Sequence, residues 1–152
     1  MTKFTGPKEE LIVLIYRFSY FFRKIKPLAV LISYINSIIF SIDISPFAII
    51  GKNFRINHGL GTVIGPCVIG DNVNIKQGVT IGNKKNGIQK FPRIGNNVNI
   101  YANAMILGDI KIGNNVIIGA MCFIDKDIPN NSVVYNKRDL VIRKIKWLNY
   151  KD

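Results

Sequence analysis

From residue 44 onward the apolar positions fall on a period of six. Isoleucines stand at Ile94, Ile100, Ile106, Ile112, Ile118 and Ile124 without a slip, at Ile69, Ile75 and Ile81 in a second run, and at Ile44, Ile50 and Ile56 in a third. Four residues after each isoleucine of the last run comes a second small or branched residue: Val98, Ala104, Ile110, Val116, Cys122 and Ile128; Val73 and Val79 do the same in the middle run. Glycine often follows the isoleucine, with Asn or Asp one or two places later. Six is neither the helical 3.6 nor the simple alternation of two. It fits short strands joined by tight corners, with Gly, Asn and Asp at positions that tolerate positive φ. Three strands close one turn, so each turn of about eighteen residues rises by one strand spacing, roughly 4.8 Å. The pattern predicts a mainly β chain, a hexapeptide-repeat parallel β-helix with isoleucine stacked on isoleucine inside.

Two interruptions stand out against that period. At His58–Val68 (HGLGTVIGPCV) the phase slips by one residue, and Asn83–Arg93 (NKKNGIQKFPR) is a polar insertion between Ile81 and Ile94. Insertions in a solenoid become loops on one face, often the binding face. Before the repeat, Leu11–Phe22 and Leu28–Phe40 read as two amphipathic or buried helices joined at Pro27, divided by the basic RKIKP segment. After Ile128 the repeat stops, and Leu140–Tyr150 (LVIRKIKWLNY) reads as a basic cap on the open end, since a solenoid needs covering at its terminal coils. The division is thus a helical segment over 1–42, a β-helix over 43–130 with its loop at 83–93, and a C-terminal cap over 131–152.

The charge narrows the partners. Lys+Arg total 21 against Asp+Glu 9, a net charge of +12 on 152 residues, which calls for an anionic partner. The basic residues are spread along the chain, six in 1–43, nine in 44–136 and six in 137–152. A nucleic-acid module clusters them and interleaves exposed aromatics, so no nucleic acid is expected. Cys67 and Cys122 make neither a disulfide framework nor a zinc site, and one histidine excludes two-His metal motifs, so no metal is expected. Both N-terminal apolar segments fall short of the roughly 18–20 apolar residues that span a bilayer. A polar start with Glu9 and Glu10 before the first apolar run is unlike a signal peptide. A cytoplasmic protein is expected, its helices packed in an oligomer or resting with their aromatic and cationic residues on a membrane surface.

His58 is the candidate base. It stands at a polar corner two residues after Ile56, beside Gly59 and Gly61. Inward positions there belong to Ile56 or Leu60, so the imidazole is expected to point outward, and no other side chain titrates as a base near neutral pH. Asp43, fifteen residues earlier, falls about one coil away at the same corner, where its carboxylate can orient the ring.

These residues carry a resemblance. Ile42–Gly82 and the stretch onward to about residue 130 resemble the serine acetyltransferases, a family of hexapeptide-repeat acyltransferases. The likeness lies in the D-I-x-P at Asp43, the H-G-x-G at His58, the Q-x-V-T-[IL]-G at Gln77–Gly82 and the P-[KR]-I-G at Pro92–Gly95. The resemblance implies a left-handed β-helix, a homotrimer with active sites between neighbouring subunits, and acetyl-CoA as donor for O-acetylation. His58 would take the proton of an acceptor hydroxyl attacking the thioester, with Asp43 as its partner. Backbone N–H groups near the Gly-rich slip would hold the oxyanion. Gly82, Ala102, Gly119 and Ala120 would let the cofactor approach the backbone, and Lys126, Lys137 and Arg138 would meet its phosphates.

The chain departs from the family at the acceptor. The Asp that usually precedes the histidine is Asn57, and the loop's D-R-H-P reads Gln89-Lys90-Phe91-Pro92. About 42 residues precede Asp43, in place of a long helical domain. Asn57 and Phe91 remove polar partners for an amino acid, while Lys90 keeps a positive charge. That pocket is better suited to a sugar ring, as in the O-acetyltransferases of surface polysaccharide synthesis. Serine O-acetylation is the alternative, and a non-catalytic scaffold a second one.

Overall fold

The computed structural model describes residues 6–84 and 90–137. Two helices, α1 (Pro7–Phe21) and α2 (Lys26–Phe40), precede fourteen short strands. These are β1 (Asp43–Ile44), β2 (Ile49–Ile50), β3 (Arg55–Asn57), β4 (Val63–Ile64), β5 (Val68–Ile69), β6 (Asn74–Lys76), β7 (Thr80–Gly82), β8 (Arg93–Ile94), β9 (Asn99–Ile100), β10 (Met105–Leu107), β11 (Lys111–Ile112), β12 (Ile117–Ile118), β13 (Phe123–Ile124) and β14 (Val133–Val134). They stack into three parallel sheets: a first face β1-β4-β7-β10-β13, a second β2-β5-β8-β11 and a third β3-β6-β9-β12-β14. The chain visits the three faces in turn, which makes a parallel β-solenoid.

The repeat is the register. Ile44, Ile64, Ile81, Ile106 and Ile124 pair up the first face, Ile50, Ile69, Ile94 and Ile112 up the second, and Ile56, Ile75 and Ile100 up the third. All are buried, along with Val73, Val79, Val98, Ala104, Ile110, Val116 and Cys122 from the second set of repeat positions. Burying one such side chain stabilises by about 1.5–3 kcal/mol, and here each lands on its own kind one level away. The interruptions appear as unequal coils. Met105 pairs with Phe123 eighteen residues on, but Thr80 with Met105 twenty-five on, the excess being the insertion after β7. Asp43 pairs with Val63 twenty residues on and Val63 with Thr80 seventeen on, one residue more than two regular coils. The solenoid also runs past Ile128 to β14, which pairs with β12. The cap expected over Leu140–Tyr150 lies outside the described residues.

At the edge between the second and third faces, the residue at positive φ is Asn53, Asn72, Asn97, Asn115 or Asn131. The amides join level to level, Asn53 donating to Asn72, Asn72 to Asn97, Asn97 to Asn115 and Asn115 to Asn131, at 2.9–3.1 Å. One residue earlier, the side-chain oxygens of Asp71, Asn96, Asn114 and Asn130 accept from the backbone N–H of Lys52, Asp71, Asn96 and Asn114. The glycine after each isoleucine serves this second ladder. A Cβ at Gly70 would lie 2.3 Å from Asn96 Oδ1 and 2.8 Å from Gly95 backbone, and one at Gly95 would lie 2.6 Å from Asn114 Oδ1. Close packing, rather than positive φ, is what these glycines supply.

The helices meet the first coil. Pro27 sits in the first turn of α2, where its missing N–H costs no hydrogen bond, so the two helices join at 22–25 and not at the proline. Tyr16 donates its hydroxyl to the Ala48 carbonyl at 2.8 Å, and the Arg17 guanidinium donates to the carbonyls of Ile50 and Gly51. The arginine that interrupts an apolar helix therefore covers backbone acceptors at the open end of the solenoid. Burial pushes the Tyr16 phenol well above its ordinary value.

Candidate active site

His58 follows β3 at the edge between the third and first faces. It has positive φ (60), as has Gly61 three residues on (71), and its side chain is exposed. The inward position is Gly59, where a Cβ would meet Ile56 and Ile42 at 2.4 and 2.5 Å. Leu60, expected inside, is 55% exposed, because Gly59 fills the interior and the chain turns outward after it. The corner rests on the one that leaves α2: Gly61 N–H donates to Ser41 O at 2.9 Å and Asp43 N–H to Thr62 O at 3.0 Å. Asp43 and His58 are thus brought to one corner, both exposed, with no hydrogen bond between their side chains.

Within the Gly-rich slip, the N–H groups of Leu60, Gly61 and Thr62 bond to the carbonyls of His58, Ser41 and Gly59. Higher levels of the same edge continue in this way, Gly78 N–H to Leu60 O, Asn103 N–H to Gln77 O and Met121 N–H to Ala102 O.

That continuity collects some of the candidate residues. Ala102 lies between β9 and β10, Gly119 and Ala120 between β12 and β13, and Lys137 follows β14, all toward the edge that carries His58, Asp43 and Asn57. A Cβ at Gly119 would press on Val134 O at 3.1 Å, so this glycine is required by the next coil as well. The others stand across the first face, at its edge with the second. Gly82 ends β7, with nothing within 4 Å of a Cβ placed there. Lys126 follows β13, and Lys90 and Phe91 precede β8. Lys90 pairs with Asp109 at 3.2 Å. Lys84 pairs with Asp125 at 2.9 Å, and its hydrogen bond and charge hold the Asp125 carboxyl below its ordinary value. Phe91 lines a hollow of about 640 Å³ with Phe47, Ile49, Val68, Lys90 and Arg93. The acceptor residues are therefore divided: Asn57 is next to the base, whereas Lys90 and Phe91 are on the next edge of the same chain. Residues 85–89 of the insertion and Arg138 lie outside the described residues.

Sequence reasoning missed a polar groove on the third face. Arg55, Asn74 and Asn99 are register partners on β3, β6 and β9, and with Asn53, Asn57 and Asn72 they line a hollow of about 270 Å³. The signal was present, since these outward positions carry polar residues in the first three coils where Ile117 and Val133 follow in the last two. Among the described residues, no group of three His, Cys, Asp or Glu is placed to hold a metal ion.

The parallel β-solenoid and its sequence repeat are shared with known proteins. Residues 91–126 match the family model described as bacterial transferase hexapeptide (six repeats). The chain is 49% identical over 106 residues to a serine acetyltransferase of Staphylococcus aureus, covering 68% of this chain and 49% of that one. It spans about half the length of that relative. The soybean serine acetyltransferase complexed with serine superposes with a TM-score of 0.79 at 37% identity, over 86% of this chain and 56% of that one. A serine acetyltransferase in complex with CoA gives 0.74 at 32% identity, over 80% and 51%. The chain carries the hexapeptide repeat and is serine acetyltransferase-like over it.

Proposed function

We propose that this protein transfers the acetyl group of acetyl-CoA to an acceptor hydroxyl, with His58 as general base. The observation that carries the reading is the exposed His58 at the corner it shares with Asp43. The imidazole takes the hydroxyl proton as the oxygen attacks the thioester carbonyl. The C–O bond forms, the C–S bond breaks, and the imidazolium returns the proton to the thiolate leaving group. Asp43 steadies the imidazolium. The donor lies along the upper coils, against Ala102, Gly119 and Ala120, and against Gly82 across the first face, with Lys126, Lys137 and Arg138 toward its phosphates.

L-serine is the acceptor that the relatives' names favour. A saccharide is the second reading, favoured by Asn57 beside the base and by Phe91 in a hollow that joins apolar side chains to Lys90, Arg93 and Asp109. Lys90 and Phe91 stand one edge away from His58, so either acceptor site is completed when a second copy lays its loop edge against the histidine edge. Three such contacts close a homotrimer. The protein works in the cytoplasm. Thiol release from acetyl-CoA, measured with L-serine and with a panel of saccharides, tests the reading. Acceptor-dependent release that His58→Asn abolishes supports it, and release unchanged in that variant refutes it. Sedimentation velocity showing an active monomer would refute the trimer.

A further inference from the structure

The surface of the helical hairpin is inverted. The residues that α2 buries are Ala29, Ser33, Asn36 and Phe40, three of them small or polar, and Asn36 donates its amide to Ile12 O at 3.1 Å. Its large apolar side chains face outward: Leu31, Tyr34, Ile35, Ile38 and Ile39, with Ile38 81% exposed. In α1, Leu11, Leu14, Phe18 and Phe21 recur at three- and four-residue spacing and are exposed too, Phe21 at 73%. Exposed apolar side chains scattered singly need no explanation, but a continuous stripe on each of two packed helices implies something that covers them.

Charge selects the cover. Residues 11–42 contain no Asp or Glu, while Arg23, Lys24 and Lys26 cluster at the turn between the helices. A surface that is apolar, edged by Phe and Tyr rings and flanked by uncompensated cations matches the headgroup boundary of an anionic bilayer. A second copy meeting this face would present the same acid-free stretch. No helix among the described residues is long and apolar enough to cross a membrane, so the fit is to lying on the surface. We infer that α1 and α2 dock this protein on an anionic lipid surface, with Leu14, Phe18, Phe21, Leu31, Ile35 and Ile38 entering the interface. The corner of His58 rests on Ser41, the residue that ends α2, so the candidate base stands on the coil nearest the lipid.

Flotation of the full chain with vesicles tests this. Binding is expected with phosphatidylglycerol–phosphatidylcholine vesicles and little with phosphatidylcholine alone. Replacing two cations, Lys24→Gln with Lys26→Gln, should weaken it roughly thirtyfold. Ile38→Glu, at an exposed site that the fold does not need, should weaken it at least about tenfold with thermal stability unchanged. Sedimentation of the same samples distinguishes a protein partner. The inference is overturned if anionic vesicles are not bound, if Ile38→Glu binds them as well as the parent, or if Ile38→Glu instead dissolves a hairpin-dependent oligomer. Thiol release from acetyl-CoA is read in parallel, so failure of docking with transfer retained separates this inference from the catalytic one.

Discussion

At the asparagine edge, five successive levels place Asn53, Asn72, Asn97, Asn115 and Asn131 at positive φ; at the histidine edge the same conformation falls to Ser41, Gly61, Gly78, Asn103 and Met121, with His58 added three residues before Gly61 at the slip. Both edges bend the chain by the same backbone device. The first repeats one side chain that bonds to its own copy above and below, so its hydrogen-bonding capacity is consumed within the ladder. The second repeats only glycine, at Gly61 and Gly78, and its bonds between levels run mainly through backbone carbonyls. Its side chains are therefore left for other partners. In a repeat protein the place where the pattern is least regular is where chemistry can be housed without cost to the stack.

Four experiments sharpen or break that contrast, in order of expected effect. His58→Asn keeps a residue that tolerates positive φ but removes the base. Transfer should fall by about 10²–10⁴-fold with the thermal midpoint unchanged, and a large loss of stability would show the two edges to be equivalent. Asp43→Asn should lower kcat by less than His58→Asn does, since orientation is only part of the base's work, and the pH profile of kcat should shift while that of stability does not. Gly95→Ala drives a Cβ into the ladder of the opposite edge and should cost about 1–3 kcal/mol in denaturant unfolding, with kcat per folded molecule retained. Asn97→Ala should cost about 1–2 kcal/mol by the same measurement, again without a kinetic effect.

A control comes from Cys67, which faces the interior. Burial pushes its thiol up from an ordinary 9.0 to about 12. The neutral form is the one the fold accommodates, so its contribution to stability is full below pH 9 and is lost as pH climbs through 12. Alkylation at pH 8.5 should therefore follow unfolding, and native-state labelling of Cys67 as fast as that of a free thiol would contradict its burial.

The solenoid was legible because the isoleucines between Ile44 and Ile124 keep one spacing within each of three runs, and each inward isoleucine reports its own register. The corner of His58 was legible because it lies on that period. The interior at Leu60 was misjudged for a related reason: the slip after His58 replaces a side chain by Gly59, and spacing alone does not show which of two neighbours turns inward. The division of Lys90 and Phe91 from the base was not readable at all. It depends on which edge of the prism an insertion leaves from, and the insertion follows β7, one face past the corner of His58. The part played by Arg17 was not legible either, since nothing in an apolar helix tells that its one guanidinium meets the carbonyls of Ile50 and Gly51.

That arginine has a consequence for solubility. A stack of parallel strands offers, at its first coil, three rows of unpaired peptide groups in good register for another strand, the kind of surface on which fibrous assemblies grow. With the Tyr16 hydroxyl on Ala48 and the Arg17 guanidinium across Ile50 and Gly51, acceptors at that end are already occupied by side chains. An incoming strand would have to displace a charged group before forming its first bond. The solenoid thus carries a stop against templated end-to-end growth, set by two adjacent side chains on one helix.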